Sequence, residues 1–170
     1  MSEQADKGHA GEAVTTGTAA VVEYLDARGI EYEMVEHEPT MSAAAEADAA
    51  QRPKGQVAKT VVLQDRSGYV LAIVPASERL DLHKLRDVLG ASKSLRLATE
   101  DEIAEDFPTL EVGAVPPLGP MLSRAEVVDQ RLLEESRILC AGGDHRHSVL
   151  LDPQDVVRIA DAKVADVCAD

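Results

Sequence analysis

Lys59 stands in the middle of the strongest strand-like stretch of the chain, Gln56 to Asp65, and its charge there is the first sign of chemistry. With a period of two, Val57, Lys59, Val61 and Leu63 share one face, and Ala58, Thr60 and Val62 the other. Both faces are mostly apolar, and an unpaired charge in such surroundings is costly or loses its proton. Lys59 therefore either lines a polar cavity that holds something anionic or carbonyl-like, or is ion-paired inside the fold.

Two further stretches could carry chemistry. Between Leu110 and Met121 the run Glu-Val-Gly-Ala-Val-Pro-Pro-Leu-Gly-Pro can be neither helix nor interior strand, because prolines cannot donate to a ladder. In Gly113 to Pro117 a glycine permits close approach to the backbone and prolines remove freedom, so the loop can present a prearranged hydrogen-bonding edge to a small polar substrate. The bland alternative is a rigid surface turn. The other stretch is Asp144-His145-Arg146-His147. If extended, it points His145 and His147 the same way, and with Asp144 they form part of a metal site; substrate contact or a solvated loop are the alternatives.

Other signatures are missing: there is no Gly-x-Ser-x-Gly elbow, phosphate-binding Gly-rich loop, dinucleotide fingerprint or zinc-type cysteine pair. Cys140 falls in an apolar strand with no basic neighbour, and Cys168 comes near the end of the sequence, so neither reads as a nucleophile.

The elements that must position these residues follow from local signals. Residues 1–14, polar and aperiodic, read as a disordered tail, and 15–170 as a single domain. A helix is expected over Thr16–Arg28 with Gly29 as its stop, then a half-buried strand through Ile30, Tyr32 and Met34 closed by His37-Glu38-Pro39. Ser42 to Ala50 reads as a short alanine-rich helix, and Gln51 to Gly55 as a loop that delivers Arg52 and Lys54 just ahead of the lysine strand. That strand returns as Tyr69–Pro75 in a hairpin. Asp81 and Thr99, the latter with Glu102 three residues on, cap two helices. Strands are expected near Ser94–Leu97, Glu126–Asp129, Arg137–Ala141, Val149–Leu151 and Ala162–Val167, with Gly142 to Arg146 as a loop and a helix capped by Asp152-Pro153. The class is α+β, with a curved mixed β-sheet, a partial barrel, surrounded by helices.

A net charge of −14 excludes a large non-specific phosphate-binding surface and argues against DNA as a partner. With one Phe, three Tyr and no Trp, a row of stacking platforms is excluded too. Two cysteines far apart fit a reducing compartment, and no apolar run is long enough to cross a bilayer, so the expected setting is the cytoplasm.

Val57-Ala58-Lys59-Thr60, Leu80-Asp81-Leu82-His83-Lys84-Leu85 and Gly113-Ala114-Val115-Pro116-Pro117-Leu118-Gly119, in that order, resemble the YbaK and prolyl-tRNA synthetase-associated editing domains over roughly residues 18 to 168. Members of that family hydrolyse misacylated tRNA. The resemblance implies a free-standing deacylase that needs no cofactor and no metal. Its substrate would be the acceptor end of a mischarged tRNA, with an aminoacyl-tRNA synthetase as a further candidate partner. It implies that Lys59 contacts the acceptor end, that Gly113 and Pro117 bound a loop whose backbone positions the aminoacyl group, and that water attacks the ester with help from the terminal ribose hydroxyl. Thr60, Ala114, Val115 and Pro116 belong to the same motifs as pocket residues. Asp144 and His145 join them on position alone, because the Gly-Gly-Asp-His version of the C-terminal loop departs from the familiar pattern and leaves the amino acid open.

Arg52 and Lys54, with Lys59 and Arg124 or Arg146, are expected to gather into one basic mouth that offsets the acidity. Competing readings are a non-catalytic module that binds a nucleotide, amino acid or partner on the same fold, and a metal hydrolase built on Asp144, His145 and His147.

Overall fold

Thr15 accepts the amide of Thr18 and opens helix α1 (Thr16–Ala27), in a computed structural model that describes residues 15–122 and 124–170. The tail expected over 1–14 lies outside the described residues. Strand β1 (Glu33–Glu36) follows, then α2 (Ala43–Ala49), capped by Ser42. A 3₁₀ turn at Lys54–Gln56 leads into β2 (Ala58–Asp65), which turns back as β3 (Gly68–Pro75). Helix α3 (Leu82–Leu89) starts on Asp81 and stops on Gly90 in the left-handed region. After the short β4 (Arg96–Leu97), α4 (Glu100–Asp106) begins with both bonds of the Thr99–Glu102 capping box. Past the proline loop come β5 (Ala125–Asp129), β6 (Ile138–Asp144), β7 (His147–Leu151), α5 (Pro153–Ala160) and β8 (Lys163–Ala165).

The chain is α+β, as read, but the strands pair as two open sheets rather than one. A five-stranded mixed sheet has the order β4-β2-β3-β5-β8, and an antiparallel three-stranded sheet the order β1-β7-β6. Outside these ladders, Val57 forms a parallel bridge to Leu139, joining the start of β2 to β6. The split was hidden because alternation along a strand reports burial, not which neighbour it pairs with.

Burial on both faces of β2 is confirmed. Ala58 and Val62 pack into one apolar cluster with Leu71, Ile73 and Val115, while Leu63 joins a second with Leu85 and Val127. Val57 belongs to a third, under Leu139 and Leu150.

Gly142 and Gly143 are not loop residues, as expected, but the bulged end of β6, whose register shifts between Ala141 and Asp144 before a tight turn at His145-Arg146. The reason is close backbone approach. A Cβ on Gly143 would come within 3.0 Å of Gly17 backbone atoms, and one on Gly17 would sit 2.2 Å from Thr109 O, so the start of α1 seats directly on the bulge. Thr18 Oγ1 fastens it by donating to Gly142 O at 2.7 Å.

Candidate active site

The Gly113–Pro117 loop is held by backbone bonds to the bulge. Gly143 donates to Ala114 O and Glu111 donates to Gly143 O, each at 3.0 Å, and Ala114 donates to Glu111 O at 2.9 Å. Ala114, Val115, Pro116 and Pro117 are buried, so only Gly113, at φ +90°, is exposed. The stiff loop is therefore a fixed wall with one glycine at its lip, not a surface turn.

Facing that lip is the β6–β7 turn. His145 donates from Nε2 to Val112 O at 2.6 Å, and its amide donates to Glu111 Oε1 at 2.7 Å. Asp144, 4% exposed, bonds His147 Nδ1 at 2.9 Å and accepts the Arg146 amide and Thr15 Oγ1. Burial works to raise the Asp144 carboxyl, but those bonds outweigh it and hold the group below the ordinary carboxylate range.

The third wall was not anticipated. His37, Thr40, Ser42 and Glu46 close a cleft against Gly113, Ala114, Ala141, Asp144 and His145, with about 10 Å³ of room for the centre of a water molecule. That is the threshold for holding one water. Asp144 and His145 also border a wider cleft of about 390 Å³ with Thr15, Pro39, Glu111, Arg146 and His147. Glu46 is 6% exposed, and burial, only partly offset by its bond from Ser148, pushes its carboxyl up to about 7. No local signal distinguishes it, since Asp48, also flanked by alanines on the same helix, is exposed.

Lys59 does not border either cleft. Its Nζ donates to Glu78 O at 3.1 Å, on the turn that follows β3, and among the described residues it forms no ion pair. Along the two strands, Lys59 follows Val57 as Ala141 follows Leu139, and Ala141 lines the narrow cleft. Thr60, on the opposite face of β2, encloses an Oγ1 with no hydrogen-bond partner among the described residues. Arg52 is half-buried and Lys54 exposed, and neither borders the clefts; Arg146 borders the wider one. Arg124 lies over the rings of Tyr69 and Phe107, 5.2 and 5.5 Å from their centroids.

The metal reading loses its ligand set. His147 Nδ1 is turned onto Asp144 and His145 Nε2 onto Val112 O, and among the described residues no group of three or more His, Cys, Asp or Glu side chains is placed to hold a metal ion. The cysteines are sequestered: Cys140 is fully buried and its thiol is pushed well up, and Cys168 is raised to about 12, burial being the main cause in both. No helix among the described residues is long and apolar enough to cross a membrane.

A model of the aminoacyl-tRNA editing domain matches residues 37–159, a span that begins at His37 and takes in every wall of both clefts except Thr15. The chain belongs to the aminoacyl-tRNA editing domain family. Among its relatives, this editing domain is 28% identical over 149 residues to the prolyl-tRNA editing protein ProX of Acetoanaerobium sticklandii, covering 84% of this chain and 90% of that one. It is 25% identical over 138 residues to EbsC of Enterococcus faecalis, proposed as a Cys-tRNA(Pro)/Cys-tRNA(Cys) deacylase, covering 81% and 83%. A crystal structure proposed to be a trans-editing enzyme for prolyl-tRNA synthetase superposes with a TM-score of 0.81 at 29% identity, over 93% of this editing domain and 100% of that chain. The family and the α+β fold expected from the three motifs are thereby established.

Proposed function

We propose that residues 15–170 act as a single trans-editing domain that deacylates mischarged aminoacyl-tRNA in the cytoplasm, without a metal or other cofactor. The observation that carries this reading is the proline-stiffened wall, strapped by Ala114 and Glu111 to Gly143, facing Asp144 and His145 across a water-sized cleft. An aminoacyl ester is already activated, so orienting it beside one water and stabilising the developing charge with fixed dipoles supplies much of the catalysis.

In this reading the backbone from Gly113 through Ala114, Val115 and Pro116 to Pro117 grips the aminoacyl group, and Asp144 and His145 border its side chain. The terminal ribose hydroxyl assists the attacking water. Lys59 makes one hydrogen bond among the described residues, and an ammonium has three donors, so two remain for a phosphate or sugar edge of the acceptor end. Thr60, its Oγ1 enclosed and without a hydrogen-bond partner among the described residues, bounds the pocket from the opposite face of the same strand. Lys54, exposed, and Arg52, half-buried, both ahead of β2, meet the tRNA backbone and offset the chain's acidity locally. A curl of the five-stranded sheet would turn β2 towards the cleft. A synthetase that releases the mischarged tRNA is the natural partner for delivery.

The test is a panel of mischarged tRNAs incubated with the wild type and with Lys59→Ala, with and without a chelator. Turnover of at least one substrate, unchanged by the chelator and reduced by Lys59→Ala mainly through KM, is expected. Absence of turnover on all of them rejects the reading, and binding of aminoacyl-adenosine analogues without hydrolysis replaces it with a non-catalytic binding module.

A further inference from the structure

Three polar side chains from three elements meet behind the cleft. His37 Nε2 lies 2.7 Å from Ser148 Oγ, Ser148 Oγ bonds Glu46 Oε2, and His37 Nδ1 lies 2.8 Å from Glu38 O. Ser148 is fully buried on β7 and Glu46 nearly so on α2, while His37 is half-buried just past β1. His37 and Glu46 both line the water-sized cleft.

Counting hydrogens in this row gives a definite answer. A carbonyl oxygen only accepts, so His37 Nδ1 carries a proton. Ser148 has one hydroxyl hydrogen to serve two neighbours. If it donates to an ionised Glu46, His37 Nε2 must also carry a proton to donate to Ser148. If instead His37 Nε2 is bare, Ser148 donates to it, and Glu46 must be the acid that donates to Ser148. The two arrangements hold the same number of protons and differ by one hop through the serine hydroxyl.

We propose that His37, Ser148 and Glu46 form a proton relay that holds one mobile proton at the wall of the cleft and serves the hydrolysis there. The proposal rests on the deacylase reading for its role, though not for its existence. With Glu46 ionised and His37 doubly protonated, the carboxylate takes a proton from water as the water oxygen bonds to the ester carbonyl carbon. When the carbon–oxygen bond to the ribose breaks, the relay returns one proton to the leaving ribose oxygen. Water and ester thus become acid and alcohol, and the relay ends as it began. The upward displacement of Glu46 to about 7 agrees with a carboxyl that both takes and gives a proton near neutrality.

The other titratable groups around the row are accounted for. Cys140 on β6 feels the charge of Glu46 but holds its own proton tightly. Asp144 and His145 face Glu46 across the cleft from the β6–β7 turn. Beside Ser148 on β7, His147 is engaged by Asp144 and approaches Glu36 of β1 at 3.8 Å. None of these is hydrogen-bonded to the row.

The experiment has two arms. In the first, nitrogen-15 histidine and carbon-13 glutamate signals are followed by NMR across a pH series, with no substrate present. His37 and Glu46 are expected to titrate with shared midpoints in the wild type, and the midpoints to separate in Ser148→Ala; independent midpoints in the wild type overturn the relay. In the second arm, the pH profile of kcat is measured on whichever mischarged tRNA turns over. Glu46→Gln, nearly isosteric and checked by thermal melting for folding, is expected to lower kcat about 100-fold with KM little changed. Ser148→Ala is expected to shift the profile. Linked titration with an unmoved profile reduces the row to a structural network and overturns its role. If the wild type turns over no substrate, the deacylase reading fails and the catalytic role with it, while the shared proton still stands or falls on the first arm.

Discussion

The amide of Gly143 donates to the carbonyl of Ala114 at 3.0 Å, so the proline-stiffened wall and the bulge of β6 move as one piece. Gly113, one residue earlier, is the exposed lip of that piece, and its φ of +90° is open only to glycine at little cost.

Gly113→Ala is therefore expected to strain the lip rather than collide with it. A Cβ there would meet Met41 O at 3.5 Å and His145 Nε2 at 3.6 Å, both ordinary contacts. The expected loss of stability is about 1–3 kcal/mol, measured by denaturant unfolding. Deacylation should fall by much more than that loss explains; a variant that keeps full turnover would remove the lip from the site.

His145 holds the same lip from the other side, through Val112 O and Glu111. His145→Ala should loosen the wall, raising KM more than it lowers kcat, whereas His145→Gln, which can still donate to Val112 O, should recover part of the loss. Initial rates over a substrate series check this. An equal collapse of kcat in both variants would instead give the imidazole a direct part in the chemistry.

Glu126 offers a test through pH. It is 4% exposed, its Oε1 accepts the Gly119 amide at 2.8 Å, and burial, only partly offset by that bond, pushes its carboxyl from 4.5 to about 8. A carboxyl with a raised folded-state pKa binds its proton more tightly in the folded protein. Its ionisation therefore costs no stability below about 4.5 and an increasing amount as pH rises to about 8. Glu126→Gln keeps an oxygen for Gly119 and cannot ionise. Relative to wild type it should gain up to about 5 kcal/mol between about pH 5 and about pH 9, read as a difference in melting or denaturant midpoints. A pH-independent difference would show that the carboxylate finds compensation in the fold.

Cys140 and Cys168 should resist thiol reagents in the folded protein and react fully once it is denatured, because both are 0% exposed and their thiols are displaced upward. Deacylase activity should survive the native treatment unchanged. Rapid native labelling would mean that β6 or the end of the chain opens readily.

How much of this could be read from the chain depends on distance along it. The caps at Asp81, Thr99 and Asp152 act over two or three residues, and all three were legible. The motif order carried the family and the Gly113–Pro117 wall. What was not legible is what depends on partners far away. Nothing near Glu46 announces Ser148, 102 positions later, and His37 looked like the end of a strand because its partner also lies on β7. Gly142 and Gly143 read as loop because glycine signals both turns and close backbone contact, and only the presence of Gly17 distinguishes them. Lys59 was read as lining a cavity or ion-paired, whereas its hydrogen-bond partner among the described residues is a main-chain oxygen, which no side-chain pattern encodes.

The pairing scheme also sets an order of assembly. The hairpins β2–β3 and β6–β7 close over turns of two residues and need only local chain, whereas β5 must find β3 in parallel, with Val70 opposite Ala125. Contacts of such long sequence separation form late because ring closure is slow. The proline wall lies between β3 and β5 and docks on the second hairpin, so neither hairpin alone encloses a cleft, and the capacity to act on a ligand belongs to the long-range pairing rather than to either ribbon.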